Sequence, residues 1–265
     1  MSILTSEHLC RSFGDLKAVD DFCICVEKGE VFGLLGPNGA GKTTVIKMVT
    51  TLLPPTGGKA SVGGFDVVHN AGDVRRLIGY VPQMLSADGT LTGRENLMIF
   101  AKLYDIPKAE RAIRVEESLK FMDLEDASDK LVRNYSGGMI RRLEIAQSML
   151  HRPRLLFLDE PTIGLDPVGR RAVWEHILRL RAEYGTTIFL TTHYMEEADN
   201  LCSTVAIMHL GKLAVIGAPS DLKASLSMEN ATLDDVFTHY TGHTLDSGGS
   251  FRDARSTRRT ARRLG

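Results

Sequence analysis

Eight residues, Gly36-Pro37-Asn38-Gly39-Ala40-Gly41-Lys42-Thr43, constrain this chain more than any other stretch. They have the spacing of a phosphate-binding loop, with Thr44 directly after it. Their context agrees. The apolar run Val31-Phe32-Gly33-Leu34-Leu35, bounded by Gly29 and Gly36, suits a buried strand. Residues 42–52 read as a helix that Pro54-Pro55 ends. Glycines at 36, 39 and 41 let successive backbone N–H groups turn inward as an anion cradle, reinforced by the helix N-terminus. Lys42 is expected to reach the β- and γ-phosphates of a nucleotide, and the Thr43 hydroxyl to ligate Mg²⁺.

The rest of the pattern surrounds this loop with more strands and helices. Residues 3–13 and 17–26 alternate in polarity around Gly14-Asp15, as a β-hairpin or two neighbouring antiparallel strands do. One helix is expected from Asn96 to Tyr104, and Pro107 suits the first turn of a second. Ser136 is placed to N-cap a third, on which Met139, Leu143, Ala146 and Leu150 form one apolar face. Strand patterns resume at residues 155–158, 186–191, 204–208 and 212–216, and Asp166-Pro167 opens a helix between the first two. This order calls for an α/β fold, a mostly parallel sheet joined at its start by antiparallel strands and interrupted by a helical block.

An acidic pair belongs beside a phosphate loop. Four apolar residues, Leu155-Leu156-Phe157-Leu158, bury a strand from whose carboxyl end Asp159 emerges, with Glu160 next. Asp159 is the expected Mg²⁺ partner, and Glu160 is placed to orient or deprotonate an attacking water. A base next to a metal ligand points to hydrolysis rather than nucleotide storage.

Composition excludes other classes. With 43% apolar and 25% charged residues in 265, the chain is neither disordered nor collagen-like. No apolar run approaches the roughly 18 residues that span a bilayer, and the start, MSILTSEHLCRSFG, lacks the pattern of a secretory signal. Four scattered cysteines (Cys10, Cys23, Cys25, Cys202) do not make a disulfide framework and read as free thiols. Cys23 and Cys25 share one side of a strand, and a lone pair of that kind is a poor metal site. Net charge is −1 overall, yet residues 251–265 hold six arginines against Asp253 and follow a Ser-Gly-Gly-Ser stretch. Basic character confined to that tail argues against a nucleic-acid partner.

Asn134-Tyr135-Ser136-Gly137-Gly138-Met139, with Ser136 standing 23 residues before Asp159, looks like the ABC signature motif. Together with the phosphate loop, Asp159-Glu160, Gly164-Leu165-Asp166 and His193, it makes the chain resemble ABC transporter ATP-binding subunits from about Leu4 to Leu226. Arg141-Arg142-Leu143-Glu144-Ile145-Ala146, Leu91 to Leu97 and Thr232 to Phe237 resemble the daunorubicin/doxorubicin-resistance branch. The resemblance implies a P-loop NTPase (RecA-like) core with an antiparallel β subdomain and an inserted helical subdomain. It divides the chain into a nucleotide-binding domain at 1–228, its insertion at about 84–150, and a C-terminal extension at 229–265. It also implies further site residues: Gln83 sensing Mg²⁺ and water, His193 contacting the γ-phosphate, Asp166 in the loop between protomers and Phe13 stacking on adenine. Met139 stands where the family usually has glutamine, and Phe13 where tyrosine is more frequent.

In such a family the N-terminus of the signature helix, at Ser136, Gly137 and Gly138, faces the γ-phosphate held by the other protomer. A head-to-tail homodimer of nucleotide-binding domains would then enclose two ATP molecules. The expectation is an ATPase at the cytoplasmic face of the cell membrane, attached peripherally to a separate permease. That permease would dock near residues 83–96 and export an amphiphilic drug or antibiotic. Lipid, polysaccharide or ion export stands as one alternative, and a non-transport ABC ATPase acting on nucleic acid or ribosomes as another.

Overall fold

The computed structural model describes residues 1–242. Two long antiparallel strands, β1 (Ser2–Phe13) and β2 (Leu16–Glu27), open the chain, and β3 (Val31–Leu35) runs into the glycine loop and α1 (Lys42–Val49). After β4 (Gly57–Val62), the short β5 (Phe65–Asp66) and α2 (Ala71–Leu77), β6 (Ile78–Val81) leads to three helices. These are α3 (Gly93–Leu103), α4 (Lys108–Phe121) and α5 (Gly137–Met149). Then follow β7 (Leu155–Asp159), α6 (Pro167–Tyr184), β8 (Thr187–Thr192), α7 (Met195–Leu201), β9 (Thr204–His209), β10 (Lys212–Gly217), α8 (Pro219–Ser225) and α9 (Leu233–Thr241).

The strands sort into two sheets. One is antiparallel, in the order β2-β1-β4-β5; the other runs β10-β9-β3-β8-β7-β6 and is parallel apart from β10. Side-chain alternation along the central strands feeds two cores. Leu156 and Leu158 of β7, and Ile188 and Leu190 of β8, pack with Leu97, Leu119, Leu143 and Ile177 of the helices. Leu155, Phe157 and Phe189 face Ile46 of α1 and Leu4, Phe22 and Val62 of the antiparallel sheet. Strands covered on both faces are why β3 and β7 read as continuous apolar runs. The α/β class, the antiparallel subdomain and the helical insertion thus stand as the sequence implied.

Several ends differ from expectation. Helix α1 stops at Val49, before the prolines: the Thr50 hydroxyl donates to the Ile46 carbonyl at 2.7 Å, and Thr51 takes a left-handed φ of 67°. Helix α3 starts at Gly93 because Thr92 and Glu95 form a capping box ahead of it. Pro107 caps α4 from outside rather than lying in its first turn. Ser136 does cap α5, accepting from the Met139 amide at 3.3 Å, and Asp166 caps α6 through Gly169 at 2.6 Å. Helix α9 buries Leu233, Val236 and Phe237 in the same core as β9 and α7. The arginine tail, residues 251–265, lies outside the described residues, among which no helix is long and apolar enough to cross a membrane.

One buried carboxylate ties the helices together. Glu197 of α7 accepts from Thr162 Oγ1 at 2.8 Å and from Trp174 Nε1 of α6 at 2.9 Å, and burial pushes its pKa up. Glu197→Ala leaves both buried donors unpaired and is expected to lower the unfolding free energy by about 1–3 kcal/mol per donor. Glu197→Gln keeps an acceptor oxygen and should cost less than half as much. Equal losses in denaturant unfolding would remove this network from the account of stability.

Candidate nucleotide site

The glycine loop is held open by its neighbours. Gly41 opens α1 at φ 107°, and a Cβ there would come within 2.4 Å of the Ala18 carbonyl oxygen of β2, so only glycine fits. Residues 37–44, with Ala18, Gln83 and Glu160, line a cavity of about 240 Å³. Among the expected residues, Pro37, Asn38, Gly39, Ala40, Gly41, Lys42, Thr43, Thr44, Gln83 and Glu160 therefore share one hollow. It sits at the carboxyl end of β3, where open α/β sheets bind ligands.

Parallel register brings the carboxylates to it. Leu34 of β3 and Asp159 of β7 both lie opposite Thr191 of the intervening β8. The Thr191 hydroxyl donates to Asp159 Oδ1 at 2.6 Å and accepts from the Glu160 amide at 3.0 Å. Asp159 Oδ1 also accepts from Thr43 Oγ1 at 3.3 Å. A hydroxyl and a carboxylate oxygen, side by side at a phosphate loop, are the hard donors that Mg²⁺ takes.

Glu160 lies between two cationic or polarisable groups. Its Oε1 is 3.2 Å from Lys42 Nζ, and its Oε2 is 2.8 Å from His193 Nδ1. Lys42 Nζ also donates to the carbonyls of Gly36 at 2.7 Å and Pro37 at 3.3 Å. Burial pushes the Glu160 carboxyl up, but the His193 hydrogen bond and the Lys42 charge outweigh it and hold the group below its ordinary range. Glu160 also has a left-handed φ of 50°, a conformation that costs a non-glycine residue about 1–3 kcal/mol. Its amide's bond to Thr191 and its carboxylate's contacts with Lys42 and His193 hold it there.

Other expected residues lie apart. Ser136, Gly137, Gly138 and Asp166 do not line the cavity; they gather where α5 and α6 begin, Gly138 against the Gly169 backbone and Gly137 beside Leu165. Phe13, at the end of β1, is exposed rather than part of the core, with the Arg11 guanidinium 4.6 Å from its ring centre.

Comparison with known proteins decides the family. Residues 19–163 match the profile of the ABC transporter family. The chain belongs to it. This ABC protein is 45% identical to the daunorubicin resistance ATP-binding protein DrrA2 of Streptomyces coeruleorubidus, over 82% of its own length and 67% of the relative's. It is 38% identical to the linearmycin resistance ATP-binding protein LnrL of Bacillus subtilis (strain 168), over 84% of its length and 72% of the relative's. Its fold superposes with a TM-score of 0.78 on cbiO1 of Clostridium perfringens, part of the ABC transporter complex cbiONQ, at 28% identity, over 85% of this chain and 92% of that one. The chain is an ATP-binding cassette of the daunorubicin/doxorubicin-resistance branch.

Three features of the ABC cassette escaped the sequence reading. Ala18 lines the cavity from the antiparallel sheet, and Thr191 links the two carboxylates. Arg141 and Glu144, both buried on α5, clasp the segment around Gln83. Arg141 donates to the carbonyls of Pro82 at 2.7 Å and Gln83 at 2.8 Å, and it pairs with Glu144 at 3.0 Å. Glu144 accepts in turn from the Ser86 amide and hydroxyl and the Ala87 amide. Arg141 lies more than fifty residues from Pro82 and Gln83 in the chain, a distance that local pattern does not bridge.

Proposed function

We propose that this chain is the ATP-hydrolysing engine of a multisubunit exporter whose membrane permease is a separate protein. The observation that carries this reading is Glu160, a buried carboxylate poised between Lys42 of the phosphate loop and His193. Lys42 and the loop amides would hold the ATP phosphates. Thr43 and Asp159, with Gln83, would hold Mg²⁺, which supplies charge neutralisation on the phosphate oxygens. Glu160 would take a proton from the attacking water, and His193 would orient Glu160 and meet the γ-phosphate.

Two copies would pair head to tail. The amide-bearing start of α5, at Ser136, Gly137 and Gly138, would then complete the partner's ATP site, with Asp166 beside it and Phe13 against adenine. Hydrolysis removes the charge that bridges the two copies, so the interface weakens and the dimer opens. The names of the relatives support an amphiphilic drug or antibiotic as cargo, and the position that goes with this reading is the cytoplasmic face of the membrane, against the permease.

The test uses a tagged Glu160→Gln protein recovered from native membranes solubilised with ATP present. A polytopic membrane protein is expected to co-purify in stoichiometric amount. Recovery as a soluble dimer without one, or with ribosomes or DNA, would leave the ATPase chemistry but overturn the transport reading.

A further inference from the structure

Away from the nucleotide cavity, the hairpin of β1 and β2 carries two β-bulges that face each other. On β1, Glu7 and His8 stand opposite Cys23 alone; on β2, Asp20 and Asp21 stand opposite Cys10 alone. His8 and Asp21, the residues that turn the chain at these bulges, both have left-handed φ angles, 49° and 59°. Neither is buried, so core packing does not account for the cost of about 1–3 kcal/mol that each bears. The neighbouring strand accommodates the distortion: a Cβ on Gly58 of β4 would lie 2.1 Å from the His8 carbonyl oxygen.

The bulges bring three metal-binding groups together. His8 Nδ1 lies 2.6 Å from Asp21 Oδ1 and 3.9 Å from Cys23 Sγ, and all three ligand atoms fall within 4.8 Å of one another. The His8 amide donates to Cys23 Sγ at 3.1 Å, and the Cys10 thiol, which accepts from the Asp21 amide at 3.3 Å, donates to the His8 carbonyl at 3.3 Å. The sulfur is thus held by a backbone N–H and already aimed at the other two groups.

We propose that His8, Asp21 and Cys23 form a zinc site with three protein ligands and one open position. The donor set decides the ion. One imidazole, one thiolate and one carboxylate suit a borderline divalent ion, whereas calcium and magnesium require a shell of oxygens. The geometry is close to what zinc needs. Tetrahedral bonds of about 2.0–2.3 Å put nitrogen and sulfur ~3.6 Å apart and nitrogen and oxygen ~3.4 Å apart. The first distance closes slightly, and the second opens as the ion replaces the proton shared by His8 and Asp21. The imidazole then carries its ring proton on Nε2, and the Cys23 thiol proton passes to solvent. The ion then cross-links the two bulges and stabilises the hairpin by mass action.

The test uses untagged, reduced protein without nucleotide, titrated with zinc against a chromophoric zinc indicator. One equivalent per chain is expected to bind. His8→Ala and Cys23→Ser should each weaken that binding by at least about tenfold, while Cys25→Ser, exposed on the same strand, leaves it unchanged. Cobalt(II) in place of zinc should show a thiolate charge-transfer band that Cys23→Ser abolishes. All three side chains are exposed, so the variants are expected to keep their fold, which undiminished ATP binding verifies. Absence of zinc uptake by the parent overturns the proposal, as does equal uptake by His8→Ala and Cys23→Ser.

Discussion

Glu160→Gln should bind ATP as tightly as the parent and hydrolyse it about 10²- to 10⁴-fold more slowly, the range that a positioned general base contributes. The substitution is nearly isosteric. Glutamine can keep the contacts to Lys42 and His193, and it sits in the same left-handed backbone conformation that glutamate tolerates. It cannot take a proton from water. With turnover stopped and the γ-phosphate retained, the protein should also accumulate as an ATP-dependent dimer on size exclusion. Hydrolysis at the parental rate would remove Glu160 from the chemistry and redirect attention to His193. A smaller side chain would be a poorer probe, because it would free Lys42 and His193 as well as delete the base.

Lys42→Ala should weaken ATP binding by about 10²- to 10⁴-fold. The ammonium would make charge-assisted hydrogen bonds to two phosphate groups, each worth about 1.5–3 kcal/mol, and every 1.4 kcal/mol is tenfold in affinity. Without ligand, the same ammonium is occupied by Glu160 and the carbonyls of Gly36 and Pro37. An incoming triphosphate therefore replaces one set of partners with another, which places the effect nearer the lower end of that range. Equilibrium titration with a fluorescent ATP analogue measures it, and unchanged affinity would refute the phosphate-loop assignment. The variant also leaves Glu160 without its lysine, so unfolding should be measured beside binding to separate the two losses.

Legibility in the sequence followed the range of the interactions. The glycine loop, β7 and the caps at Ser136 and Asp166 are local features, set by residues within a few positions of one another, and they could be read directly. Strand β4, with the sequence Gly-Gly-Lys-Ala-Ser-Val, and the short α2 and α7 have weak local patterns and depend on their neighbours for order. Helix α1 ended early because a threonine hydroxyl turned back onto it, a competition that propensity does not reveal. In the site, the carboxylates were legible as strand-terminal acids. Thr191 was not, because its importance comes from lying between β3 and β7, an order of strands that the chain does not follow. The cysteines read as free thiols, and so they are; that His8 and Asp21 would meet Cys23 depended on two bulges that no alternation pattern announces.

The clasp between α5 and the segment after β6 has a mechanical meaning. Met84 and Leu85 stand out into solvent, 82% and 51% exposed, while the residues on either side of them are fastened to Arg141 and Glu144. The two apolar side chains form the tip of a short projection anchored at its base to a buried ion pair. Ser136 lies five residues before Arg141 on the same helix. A displacement of the tip would therefore bear on Arg141 and Glu144 and, through them, on the helix that Ser136 caps.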